Sequence, residues 1–191
     1  MESFDGRGVL GHGRCLRQRQ KIQYPFYLRG ARSACLIDCG ASSMIAIRKF
    51  GVDPNSVRAI LITHVRGDHF GGLPFFVLDA QLVSRRTTPL TIAGPPRLRD
   101  RLTTTWKVPS LVPVLRNAAS TLAVEELEPR IAHNVRGIEV TPNRHPSGAP
   151  PFALRVKLDD KVLCYSGDTE WVEDLRPAAE GVVGPGEMGS R

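Results

Sequence analysis

The sequence predicts an α/β layered sandwich, and three observations carry that prediction. Short apolar, β-branched runs alternate with helical patterns from 33 to 106; strand patterns dominate from 137; and three strand patterns end directly on His or Asp. The elements follow in order. "SACLIDCG" (33–40) is a short apolar run closed by Gly, which predicts a buried strand ending in a turn. "ASSMIAIRKFG" (41–51) suits a helix that stops at Gly51. "VRAILITH" (57–64) is β-branched and apolar, an interior strand. In "GGLPFFVLDAQLVSRR" (71–86), Leu73, Phe76, Val77, Leu82 and Val83 recur at roughly helical spacing.

"PLTIAG" (89–94) reads as a third strand, and "PPRLRDRLTTTW" (95–106) as a helix with Pro in its first turn. Residues 107–130 hold several prolines and yield no assignment. "GIEVTPNRH" (137–145), "FALRVKL" (152–158) and "KVLCYSG" (161–167) read as strands, the last two joined by a hairpin turn at Asp159-Asp160. "TEWVEDLRPAAEG" (169–181) opens like a capped helix, Thr169 followed by acidic residues. The tail, 182–191, has no periodicity and is expected to be disordered.

The 191 residues are enough for one sizeable core and too few for two comfortable domains, so 1–181 is read as a single domain. No stretch approaches the roughly 20 apolar residues of a membrane span, and the N-terminus lacks a signal-type apolar region. Cys15, Cys35, Cys39 and Cys164 form no C-x-x-C pair and read as reduced thiols of a cytosolic protein. The net charge of +7 invites a nucleic-acid partner, but Arg14, Arg17, Arg19 and Lys21 alone supply +4 of it and few aromatics are interleaved. Charge decides nothing here.

Chemistry concentrates in "ITHVRGDHFGGLP" (62–74), which packs His64, Asp68 and His69 into six positions at the exit of a buried strand. A loop held by a rigid strand can aim several side chains at one point. Imidazole nitrogen with carboxylate oxygen is the donor set for Zn²⁺ in hydrolytic sites. Gly67, Gly71 and Gly72 permit a tight backbone there. His145 ends a later strand, and Asp168 follows "LCYSG" at another strand exit.

Together "LIDCG" (36–40), "ILITHVRGDHFGGLP" (60–74), His145 in "NRHPSGAPP" and "YSGDTEW" (165–171) resemble the metallo-β-lactamase-fold hydrolases, particularly the ribonuclease Z-like branch. The resembling segments run in the family's order and cover about residues 30 to 180. The resemblance implies a four-layer αββα sandwich and a zinc-dependent hydrolase that cleaves an ester or phosphodiester bond through a metal-bound hydroxide. His64 and His145 would bind one metal, Asp68 and His69 a second, and Asp168 would bridge them; Asp68 is also the expected catalytic carboxylate. Asp38 would hold a ligand or the loop in orientation. Cys39 and Cys164, near these positions, are read as small core residues. The substrate would be a small-molecule ester or lactone, or a phosphodiester such as nucleic acid.

The sequence departs from the family in three places. Arg66 stands where the family has its second His, and a guanidinium has no lone pair to offer a cation. No His follows Asp168, so the sandwich is expected to be truncated at its C-terminal end, with a ligand and a strand missing. Residues 1–26 are atypical: one codon choice for "GRCLRQRQKIQYP" (13–25), read one base later, yields a Gly-rich peptide of the family's kind, which reads as a local frameshift. Zinc occupancy and catalysis are therefore expected to be impaired. The competing readings are an inactive remnant or basic RNA-binding module of the same fold, and a homo-oligomer whose partner copy completes the site.

Overall fold

The computed structural model describes residues 25–105, 122–144, 152–168 and 176–179. Two sheets face one another. In the first, β1 (Phe26–Arg29), β2 (Ala34–Ile37), β3 (Val57–Leu61), β4 (Leu90–Gly94) and β5 (Leu122–Glu126) lie side by side in that order. The pairs from β2 to β5 are parallel, and β1 is an antiparallel edge. The second sheet is an antiparallel run of β6 (His133–Val135), β7 (Ile138–Arg144), β8 (Phe152–Leu158) and β9 (Lys161–Tyr165).

Parallel neighbours need crossovers, and helices supply them. α1 (Ser43–Lys49) links β2 to β3; α2 (Gly67–Phe70) and α3 (Leu73–Leu82) link β3 to β4; α4 (Leu98–Thr105) follows β4. α5 (Arg176–Ala179) lies against β8 and β9 on the other side. The layers are thus helix, sheet, sheet, helix.

Strand alternation divides the apolar side chains between two cores. Leu36, Ile60 and Ile92 face the helices and pack with Ile47, Leu73, Phe76 and Leu98. Cys35, Ile37, Ala59, Leu61 and Ala93 face the second sheet and meet Ile138, Val140, Phe152, Leu154 and Val156. The register between β2 and β3 skips one residue: Ala34 pairs with Val57, but Cys35 pairs with Ala59. Arg58 is therefore the extra residue of a bulge, which puts Val57 in the helix-side core and Ala59 in the inter-sheet core.

Most expected elements are present, with shifted bounds. The strand expected over 57–64 stops pairing at Leu61, because the Thr63 N–H turns to the Asp38 carboxylate instead of a neighbouring strand. The second helix keeps Leu73, Phe76 and Val77 inside, but Leu82 and Val83 are exposed at its frayed end. Pro95 and Pro96 precede α4 rather than opening it, and Arg97, at φ +72°, separates them from the helix. β1, β5 and β6 carried no sequence assignment. Gly51 and Asp159 have positive φ, as the expected helix stop and hairpin turn require. The expected helix start at Thr169, the basic N-terminal stretch to residue 24, and the 182–191 tail lie outside the described residues.

Candidate metal centre

The functional side chains gather where strands of the first sheet end, beside the start of β8 and the exit of β9 in the second. Asp38 follows β2 directly and has φ +61°, a left-handed conformation that Asp tolerates better than most residues. That conformation accompanies three converging hydrogen bonds. Its carboxylate accepts the Thr63 backbone N–H (2.9 Å), the Thr63 hydroxyl (3.0 Å to either oxygen) and the His69 Nδ1–H (2.7 Å).

His64 and His69 then follow from this anchor. Thr63 Oγ1 has one proton, and Asp38 takes it. The contact between Thr63 Oγ1 and His64 Nδ1 (3.0 Å) must then be donated by the imidazole. Both rings thus carry a proton on Nδ1 and turn Nε2 toward the cluster; His64 Nε2 is left as a bare acceptor, whereas His69 Nε2 meets the Asp168 carboxylate and must donate to it. Their centroids are 4.0 Å apart.

α2 carries Asp68 and His69 on a single helical turn, not on the irregular loop expected. Arg66 is its N-cap, and the N–H groups of His69 and Phe70 bond the Arg66 carbonyl. Asp68 in the first turn is favoured by the helix dipole. The turn is tied to the β2 exit by bonds from Cys39 N to His69 O (2.6 Å) and from Gly72 N to Cys39 O (2.8 Å). Of the three glycines there, Gly67 has open space around a would-be Cβ, whereas at Gly72 that atom would fall 2.0 Å from the Gly40 carbonyl oxygen.

Asp168 arrives from the second sheet. β9 ends at Tyr165, and Gly167, at φ +68°, turns the chain. Asp168 Oδ2 comes to 3.2 Å from His69 Nε2, and Asp68 Oδ2 lies 3.7 Å from the same nitrogen. His64, Asp68, His69 and Asp168 are therefore brought together, with Asp38 behind them. Arg66 projects outward, its side chain 66% exposed, with Nε 4.0 Å from Asp68 Oδ1. His145 lies outside the described residues. Cys39 is buried as expected; Cys164 is only half-buried.

The electrostatics divide the two rings. Burial, followed by the charge of His69, holds the His64 imidazole below its ordinary value. Burial also pulls His69 down, but the Asp38 hydrogen bond and the charges of Asp38, Asp168 and Asp68 together outweigh it and raise it. A raised imidazole among carboxylates is a place where a proton stands in for a larger cation.

One ligand atom each from His64, Asp68 and His69 lies within 4.8 Å of the others, so these three could hold a metal ion. Donors about 2 Å from one ion are at most about 4 Å apart, so sub-ångström closure suffices. His64 Nε2 and Asp68 Oδ2 are buried with no hydrogen-bond partner among the described residues. Buried polar atoms left so are costly, and a cation would satisfy both. The donor chemistry fits.

Two residues at the site had escaped attention in the sequence. Thr63 links His64 to Asp38, and Tyr165 packs against Phe26 at 4.7 Å; its phenol is pushed upward by burial, then by Asp38 and Asp168. A Thr ahead of a His, and a Tyr in a strand, look like ordinary strand residues; only the fold shows their position.

Fold and site together define a metallo-β-lactamase-fold protein of the ribonuclease Z-like kind. The fold aligns with Zn²⁺-bound PqqB from Methylobacterium extorquens at a TM-score of 0.64, 17% identical, over 87% of this chain and 57% of that one. It aligns with the short form of human tRNase Z at 0.62, 23% identical, over 81% and 66%. In sequence it is 33% identical to ribonuclease Z of Alkaliphilus oremlandii over 134 residues, 68% of this chain and 40% of the relative. More narrowly, a family model described as "Anti-Pycsar protein Apyc1" matches residues 9–180, and the chain belongs to that family. The chain spans well under half the length of the first curated relatives it matches, 40% and 38%.

Proposed function

We propose that this chain is a metal-dependent hydrolase that holds zinc at His64, Asp68, His69, Asp168 and His145. The observation that carries the reading is that both imidazoles, held through Nδ1 on a buried, hydrogen-bonded base, turn Nε2 toward Asp68 and Asp168: His64 Nε2 has no partner among the described residues, and His69 Nε2 meets the Asp168 carboxylate. His145 would join the set, one residue after β7. That strand ends at Arg144, in register with Phe152, whose N–H bonds the Thr63 carbonyl (2.9 Å), so the chain is beside the site one residue earlier.

When bound, the cation supplies Lewis acidity and a water of lowered pKa. The chain's own part is to hold two imidazoles in one tautomer, to exclude water from their far side, and to bring a carboxylate from each sheet to one point. Asp68, less buried than the histidines, can accept a proton at Oδ1, the oxygen on the Arg66 side, during bond cleavage. A phosphodiester is the bond we favour, because the curated relatives are named as ribonucleases; nucleic acid is then the substrate class, and small esters or lactones the alternative. Arg66 adds no donor and sets a cation beside Asp68, so we expect weakened metal loading and slow turnover.

Elemental analysis of purified protein, with hydrolysis of bis(p-nitrophenyl) phosphate and p-nitrophenyl acetate, tests this. We expect measurable zinc, phosphodiester cleavage, and loss of both in a His69→Ala variant. Folded protein that binds no zinc at micromolar supply would end the proposal.

A further inference from the structure

We propose that Thr63 is a positioning residue whose single hydroxyl sets the tautomer of His64 and couples that imidazole to Asp38, the carboxylate that holds His69 directly. This inference rests on the metal-centre reading above. The geometry is a closed relay: His64 Nδ1–H to Thr63 Oγ1 (3.0 Å), Thr63 O–H to Asp38 (3.0 Å to either oxygen), and His69 Nδ1–H to Asp38 Oδ2 (2.7 Å).

Proton counting makes the hydroxyl decisive. Asp38 only accepts, so Thr63 must donate to it; the hydroxyl's remaining lone pair then faces His64 and can only accept. A carboxylate alone could fix His69, but it does not contact His64. Only through Thr63 does one buried anion orient two rings. The carboxylate is nearly saturated, because it also holds the Thr63 N–H at 2.9 Å.

The backbone clamps Thr63 just as firmly. Its side chain is fully buried, its N–H goes to Asp38, and its carbonyl accepts from Phe152 N at 2.9 Å. The relay's hinge is thereby fixed to the first residue of β8 in the opposite sheet. With arginine at position 66, the centre depends on His64 and His69 for imidazole from its first sheet, so their orientation carries more of the affinity.

Zinc and Co²⁺ affinity, measured by chelator competition on wild type, Thr63→Ser and Thr63→Val, is the first readout. Loss of an outer hydrogen bond around a metal ligand typically costs about 10–100-fold in affinity, and that is the expected loss for Thr63→Val. Thr63→Ser, which keeps the hydroxyl, should stay within a few-fold of wild type. The second readout is the ¹⁵N spectrum of the histidines in the metal-free wild-type protein. There, neutral His64 should carry its proton on Nδ1. A His64 protonated on Nε2 overturns the inference without any variant, even if Thr63→Val fails to fold. Equal affinity of wild type and Thr63→Val overturns it too. Wild type that binds no metal yet shows the Nδ1–H tautomer would leave the relay standing and remove only the metal reading.

Discussion

Arg66 stands where the family resemblance implies a second His, and it does not plug the site. Its guanidinium projects to solvent and, among the described residues of the cluster, approaches Asp68 Oδ1 at 4.0 Å. Replacing it should therefore leave the fold unchanged and act on the metal alone. An Arg66→His variant gains a nitrogen donor and loses a repelling charge, so elemental analysis should find under one zinc per chain in wild type and more in the variant. Equal zinc in both would mean that position 66 does not face the metal. The glycines nearby give a second, purely structural contrast. Gly72→Ala would drive a methyl to 2.0 Å from the Gly40 carbonyl, where backbone must yield. We expect a loss at or above the top of the roughly 1–3 kcal/mol typical of overpacking. Gly67→Ala meets nothing within 4 Å in a helical turn and should be neutral or gain up to about 1 kcal/mol. Urea unfolding of the two variants separates them.

At the scale of elements, α3 shows how periodicity overreaches. Leu73, Phe76, Val77, Leu82 and Val83 fit one helical stripe in the sequence, yet the first three are buried and the last two are 67% and 65% exposed. The helix ends at Leu82 and the chain turns away, so there is no core for them to meet. Phe76→Ala should cost about 3–5 kcal/mol in chemical denaturation, whereas Leu82→Ala should stay within about 0.5 kcal/mol. Equal losses would place Leu82 in a covered interface. The same contrast explains what was legible. Short apolar runs such as 57–61 and 90–94 announce themselves because both of their faces are largely buried. β5, "LAVEE", lies at the sheet's far edge with two exposed glutamates, and β6 has only three residues; neither has enough apolar pattern to stand out. His64, Asp68, His69 and Asp168 were legible because their spacing and order are rare. Thr63 was not, because its importance lies in a hydrogen bond to a residue 25 positions away.

At the scale of the whole molecule, the site is one of the places where the two sheets are joined by polar chemistry. His64, Asp68 and His69 come from the exit of β3 and Asp168 from the exit of β9; Arg136 also reaches Thr91 of β4 (2.8 Å), and apolar packing fills the space between the sheets. A cation shared by both groups would tie the sheets together, and the unfolded chain has no such arrangement of donors. Binding to the folded state alone stabilises it by mass action, about 2.7 kcal/mol when free metal is 100 times its Kd. For a chain of this size that corresponds to a rise of roughly 5–10 °C in Tm. Thermal unfolding followed by circular dichroism should show this rise with zinc, and a chelator should reverse it. Asp168→Ala should keep its metal-free Tm close to that of wild type, since it removes a half-buried carboxylate from an already anionic cluster. It should also lose part of the zinc-induced increment, because His145 alone would then reach the cation from the second sheet. An Asp168→Ala protein with the full increment would remove Asp168 from the ligand set and leave the clamp between the layers to His145.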